Sequence, residues 1–332
     1  DQVSPDAAII YPMIMPDRLE ILLSFGGELH RFKVAVDSRQ LISQLRRFRI
    51  ALQQPNSKRH RGYGKALYQL LVAPYESLLK QRDIKTLVYV MDGPLRTIPM
   101  AALNNGDDYL IDHYALATSV GLDLVQPRPL DPRQVQMLMA GISEPLDGFP
   151  ALPYVPEEFD SLQQMFGGDV LLNQRFRLEP FRRALGEEQP NLVHLASHAK
   201  FSGKADSSFL LAYDGRITLN RMADYIGQRS DRNTPLELLV LSACETAAGD
   251  DRAALGLAGV GVKAGARSAL GSLWSIPDTA TYQLMTRFYE QLRQTGVSRA
   301  QALQRAQQAL RDDPQFAHPF NWSAFLMINN WL

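Results

Sequence analysis

LLVLSACETAAG (residues 238–249) is the segment from which the architecture can be read. Its first six residues are apolar or small and uncharged, and the chain's only cysteine, Cys244, stands where that run ends. An apolar run this short reads as a strand buried on both faces of a parallel sheet. Ligands of open α/β sheets bind beyond the carboxyl ends of the strands, which is where Cys244 falls. NLVHLAS (191–197) closes the same way, with His198 at its end. The two positions are 46 residues apart, enough chain for a crossover between neighbouring parallel strands. Two strand ends can therefore present an imidazole and a thiol side by side.

Outward from this pair the pattern alternates. Downstream of 127, strands are expected at 135–142, 170–172, 191–197, 209–213, 238–243, 268–274 and 323–328. Helices are expected at 156–166, 178–185, 218–226, 253–263, 278–292 and 298–311. Alternation of this kind implies α/β architecture, a mostly parallel sheet flanked by helices on both faces. Upstream, 8–15, 18–25 and 29–36 read as a meander of hairpins, and Asp37 as the N-cap of a helix with apolar residues at helical spacing. A helix at 65–79 broken at Pro74, a strand at 86–91 and a hairpin or strand pair at 107–117 follow. Pro127, Pro129 and Pro132 mark a boundary, giving an N-terminal α/β region (1–126) and a second domain (127–332).

The totals restrict the function classes. Lys plus Arg equals Asp plus Glu at 35 each, so no overall field draws the chain to nucleic acid or acidic lipid. No apolar stretch reaches the roughly 18–20 residues that span a bilayer, so no membrane partner is expected. One cysteine excludes an internal disulfide framework and fits a reducing, cytoplasmic setting. The chain begins at Asp1 without an initiator methionine, the expectation for a piece of something longer. The basic cluster 58–61 reads as a solvated loop. Gly62 and Gly64 before Lys65 lack the spacing and preceding strand of a phosphate loop. One cysteine and the nearby His194 and His198 give no zinc-like spacing, so neither metal nor other cofactor is expected.

The chemistry open to the pair is nucleophilic. A free thiol, with pKa about 8.5, supplies little thiolate at neutral pH. An adjacent imidazole can take its proton and later hand one to a leaving amine. The backbone N–H groups of Cys244 and Ala199 are natural donors to an oxyanion. The expectation is peptide-bond hydrolysis through a thioester. Each residue also has a plainer reading: a buried cysteine as a small hydrophobe, a strand-end histidine as a hydrogen-bonded structural residue, and His194 as core.

HLASHAKFSG, SFLLAYDGRITL, ELLVLSACETAAGDDRAALGLAGVGVKAGARSALGSLWSIPD and HPFNWSAFLMI resemble the CHAT family of bacterial caspase-like cysteine peptidases. LYQLLVAPYESLL, LVYVMDGPLRTIPMAAL and YLIDHYALATS are similar to the region that precedes that catalytic half. The resemblance covers nearly the whole chain. It implies a caspase-like fold related to separases and gingipains, a His198/Cys244 dyad, a protein or peptide substrate, and a pseudo-peptidase-like N-terminal region. It also implies a parent chain carrying tetratricopeptide repeats or a regulatory partner. A cysteine with its histidine about 50 residues upstream is the caspase arrangement, although the local caspase signature is absent.

One departure stands out: Ala199 follows the histidine where the family commonly has glycine. If that position required φ > 0, alanine would cost about 1–2 kcal/mol, which leaves a catalytically inactive binding scaffold as the alternative. Trp274 to Asp278 resembles the W-x-x-x-D segment of separases, which implies that Asp278, with Trp274, lines a pocket for a basic residue before the cleaved bond. On local grounds Pro277 and Asp278 favour a plainer reading, in which Asp278 is the N-cap of the helix beginning at Thr279. Glu245 could orient substrate or cap a helix. Asp206 and Asp214 are weaker pocket candidates, and His30, His60, His113 and His318 look incidental.

Overall fold

The computed structural model of the protein describes residues 4–119, 127–201, 208–228, 235–242, 245–246, 259, 261–262 and 265–332, with backbone alone at 201, 245 and 246. The strands of its first part are β1 (Ala7–Ile14), β2 (Arg18–Phe25), β3 (Glu28–Ala35), β4 (Thr86–Val90) and β5 (Ala115–Ser119). Next come β6 (Met137–Gly141), β7 (Asp169–Leu172), β8 (Leu192–Ala196), β9 (Ala199–Phe201), β10 (Phe209–Ala212) and β11 (Gly215–Thr218). Then β12 (Leu238–Leu241), β13 (Glu245–Thr246), β14 (Ser268–Ser272) and β15 (Phe325–Asn329) complete the set among the described residues.

Eleven of these strands form one sheet in the order β3-β2-β1-β4-β5-β15-β14-β12-β8-β6-β7. Pairing is parallel except within the β1–β2–β3 meander and between β14 and β15. The apolar runs around β8 and β12 are uninterrupted because both faces are covered. Leu192 and Ala196 point into one core, while Val193 and Leu195 point into the other. Leu238 and Val240 alternate with Leu239 and Leu241 in the same way. Each fully buried aliphatic side chain is worth roughly 1.5–3 kcal/mol, so covering both faces holds these strands firmly in the sheet.

The first core is closed by α1 (Ser38–Leu52), α2 (Arg59–Leu71), α3 (Ala73–Gln81), α5 (Val155–Phe166), α8 (Asp278–Leu292) and α9 (Arg299–Asp312). The second is covered by α6 (Leu178–Arg183) and α7 (Leu219–Gly227). Caps fall where the residue types predict. Asp37 accepts from the backbone N–H of Arg39 and Gln40, and Ser298 forms a capping box with Gln301. The β5–β15 pairing joins the N-terminal strands to the rest, and the first core draws residues from both sides of position 126.

Two local expectations are corrected. Residues 107–117 are not a hairpin. They form a short helix, α4 (Leu110–His113), followed by β5, which pairs parallel with β4. The Asp112 carboxylate turns back to accept the N–H of Tyr109 at 2.8 Å, which favours a helical turn over a strand. The cluster 58–61 is solvated at Lys58, Arg59 and Arg61 but opens α2 rather than lying in a loop, and it turns His60 inward.

His60 is not incidental. Its ring meets that of His318, from the C-terminal part of the chain, edge-on at 4.5 Å. His60 Nδ1 and His318 Nε2 both donate to the Ser57 carbonyl at 3.1 Å, and Tyr109 Oη lies 3.2 Å from His60 Nε2. Burial first, and the neighbouring imidazole second, lower the His60 pKa to about 4; burial also lowers that of His318. The unfolded chain, with imidazoles near 6.5, binds more protons than the folded one between those values, so stability is full above pH 6.5 and falls as pH drops toward 4. Thermal melts should show this loss, on the order of 2–3 kcal/mol, and His60→Gln should flatten it.

Candidate active site

His198 stands two residues past the end of β8 and just before β9. Its Nε2 donates to the Pro150 carbonyl at 2.8 Å, and its ring stacks on Phe149 at 4.9 Å with planes 22° apart. With the proton on Nε2, Nδ1 is the nitrogen left to accept one. On the backbone side, Leu211 of β10 donates its N–H to the His198 carbonyl at 2.8 Å, while Ser197 Oγ donates to the Leu211 carbonyl at 2.7 Å. The imidazole is therefore fixed in position and orientation by main-chain groups.

A second, four-stranded sheet, in the order β11-β10-β9-β13, continues from these strand ends. β8 and β12 pair parallel, with Leu195 opposite Leu241. Just beyond, β9 and β13 pair parallel again, with Lys200 opposite Glu245. The two segments that bracket 198 and 244 thus run side by side before and after those positions. Cys244 itself lies outside the described residues. Of this small sheet the sequence predicts β10; β9 and β13, of three and two residues, carry no periodic signal.

A cavity of about 220 Å³ opens beside the imidazole. Phe149, Pro150, His198, Ser242, Ser275 and Asp278 are among its walls, so one space joins the strand end at Ser242 to the start of α8. Asp278 is the first residue of α8 and does not cap it. Its Oδ2 instead accepts the N–H of Tyr154, at the entry to α5, at 2.8 Å. Burial raises its pKa above the usual value, opposed by the Tyr154 N–H and aided by Glu158 and Glu157, while His198 lowers it. A half-buried carboxylate with one oxygen engaged is suited to receive a cation.

Behind the strand lies a buried polar cluster. The Glu158 carboxylate of α5 sits 2.6 Å from Nε2 of His194, and the Tyr289 hydroxyl of α8 sits 3.0 Å from its Nδ1. His194 is thus a core residue that ties α5 and α8 to β8, as its plainer reading holds. Gly141 allows α5 to close on the sheet: a Cβ there would meet the Ala196 carbonyl at 2.4 Å and Phe159 at 2.8 Å. Gly141→Val is expected to lower the unfolding free energy by about 1–3 kcal/mol in denaturant titrations, through overpacking against Ala196 and α5.

The remaining candidates separate. Ala199 lies in β9 opposite Leu210, and it is not among the residues with positive φ. Its methyl therefore carries no left-handed strain, and the concern about replacing glycine does not apply to this backbone. Trp274 is only 4% exposed, with its indole donating to the Phe320 carbonyl at 3.0 Å and its ring stacked on Phe320. It shapes the segment before Asp278 from behind rather than facing the cavity. Asp214 accepts the Leu178 N–H at 2.9 Å and so anchors the start of α6. Asp206, the Glu245 side chain and most of 253–263 lie outside the described residues. Among the described residues no cluster of His, Cys, Asp and Glu is arranged to hold a metal, and no helix is long and apolar enough to cross a membrane.

A mostly parallel sheet with helices on both faces, and a histidine at a strand's carboxyl end beside a cavity, define a caspase-like α/β architecture. The solved structure of the Saccharomyces cerevisiae separase–securin complex shares it, with a TM-score of 0.58 at 10% identity, over 98% of this chain and 30% of the matched one. Gingipain R, an Arg-specific cysteine proteinase, gives 0.51 at 9% identity, over 88% of this chain and 75% of its own. The chain belongs to the CHAT domain family, whose sequence profile matches residues 61–330. It is also 24% identical to tetratricopeptide repeat protein 28 of Homo sapiens and of Mus musculus, over 80% of this chain. The chain spans 13% of the length of those relatives.

Proposed function

We propose that the protein is a cysteine endopeptidase in which His198 activates Cys244 for attack on a peptide carbonyl. The observation that carries this reading is the setting of His198: its ring is oriented by the Pro150 carbonyl, and it faces a cavity shared with Ser242 and Asp278. Ser242 stands two residues before Cys244, and Glu245, covalently next to it, pairs with Lys200, two residues past His198. The described residues on either side of position 244 thus lie at the cavity wall and opposite the strand that follows His198.

The mechanism follows from these groups. Nδ1 takes the thiol proton, the thiolate adds to the carbonyl, and the imidazolium returns the proton to the leaving amine. Water then hydrolyses the thioester with the same imidazole as base. Leu211 engages the His198 carbonyl, so in the antiparallel β9–β10 ladder the Ala199 N–H points away from β10, toward the β13 side. That N–H and the one of Cys244 are the proposed oxyanion donors.

Asp278 is the proposed reader of an arginine or lysine before the scissile bond, and the Arg-specificity in gingipain R's description supports this. A tetratricopeptide-repeat parent chain is supported by the repeat proteins it resembles. Those relatives are named for repeats and not for an activity, which favours a protein-binding scaffold as the second reading. Digestion of a peptide library by the protein and by Cys244→Ala separates the two. Cleavage after basic residues that disappears in the variant supports the peptidase, and identical profiles support the scaffold.

A further inference from the structure

The carbonyl that orients His198 belongs to a surface turn, and the turn is held by an ion pair. Asp147 and Gly148 have φ of 50° and 82°, and Leu146 bridges Phe149 across them, the geometry of a tight two-residue hairpin turn. The turn delivers Phe149 and Pro150 to the imidazole. Its tip is bound by Arg216 of β11, whose Nη2 donates to Asp147 Oδ2 at 2.6 Å. The Arg216 guanidinium is itself seated on the Phe209 ring at 4.3 Å. Arg216 also lies directly opposite Leu211 in the β10–β11 ladder. Leu211 is the residue whose N–H holds the His198 carbonyl.

One rung of the small sheet therefore reaches His198 twice: through Leu211 to its backbone, and through Arg216, Asp147 and the turn to its ring. We infer that Asp147 and Arg216 are a positioning pair for His198, selecting the Nε2–H tautomer by holding the Pro150 carbonyl in place. The inference rests on the reading of His198 as general base. Catalysis loses rate steeply when a reacting group is displaced by about 1 Å, with losses near a hundredfold documented. A pair whose side chains are 52% and 50% exposed contributes little to global stability, so an effect on the imidazole should be separable from unfolding. Its exposure also makes it sensitive to ionic strength.

The test is ¹⁵N NMR of the histidine side chains together with the alkylation rate of the single cysteine, with His198→Ala to assign the resonance. Wild type should show mainly the Nε2–H tautomer at neutral pH. Asp147→Asn and Arg216→Gln should raise the Nδ1–H fraction and slow alkylation about tenfold, with the unfolding midpoint barely moved. Arg216→Lys, which keeps the charge, should recover most of both. An unchanged tautomer ratio in Arg216→Gln overturns the inference, as does a loss in Arg216→Lys equal to that in Arg216→Gln. Alkylation that ignores His198 altogether would sink the dyad instead, while the tautomer ratio would still report on the pair.

Discussion

His198→Ala should lower kcat/KM for peptide cleavage by about 10³–10⁴, with KM little changed. The imidazole acts at two points, removing the thiol proton and protonating the amine, and general acid–base catalysis of this kind contributes typically 10²–10⁴-fold. Removal of the ring also takes away the partner of the Pro150 carbonyl and the Phe149 stack. Those groups lie on a turn and can rehydrate, so the fold should hold. Cys244→Ala should abolish covalent turnover and leave substrate binding intact. If His198→Ala retained more than a tenth of wild-type activity, the imidazole would not be the base. Steady-state kinetics on one fluorogenic peptide reads the rates, and an equilibrium titration of the same peptide reads binding by Cys244→Ala.

Asp278→Asn should remove the preference for a basic residue before the cut. The amide keeps an oxygen to accept the Tyr154 N–H, so α5 and α8 remain joined, but the negative charge is lost. Charge-assisted hydrogen bonds contribute about 1.5–3 kcal/mol, and an unpaired guanidinium left in a half-buried cavity costs more. Cleavage after arginine should therefore fall about 10²–10³-fold, while cleavage after a small neutral residue changes little. Burial raises the Asp278 pKa, and its protonation removes the charge, so the preference for arginine should weaken at higher pH than an ordinary aspartate would dictate. A variant with an unaltered cleavage profile would remove Asp278 from the pocket.

Much of the architecture was legible because both faces of β8 and β12 are buried, which leaves an uninterrupted apolar run in the sequence. His198 was legible for the same reason: a polar residue at the end of such a run stands out. Asp278 came from resemblance. Its local signal, a carboxylate at a helix start, pointed to capping, and the fold replaces that cap with a contact to Tyr154, 124 residues away. The Asp147–Gly148 turn and β9 with β13 were not visible. Turn residues and strands of two or three residues carry no periodicity, and their partners lie far off in sequence. His60 and His318 read as incidental for a related reason, since each alone resembles a surface histidine and only the fold brings the rings together.

Proton transfer between the imidazole and the sulfur is the central step of the proposed chemistry, and the pH dependence of Cys244 alkylation measures it directly. Wild type should react with an apparent pKa well below the value of about 8.5 for a free thiol, and His198→Ala should move the profile up to that value. Superimposable profiles for the two proteins would contradict it.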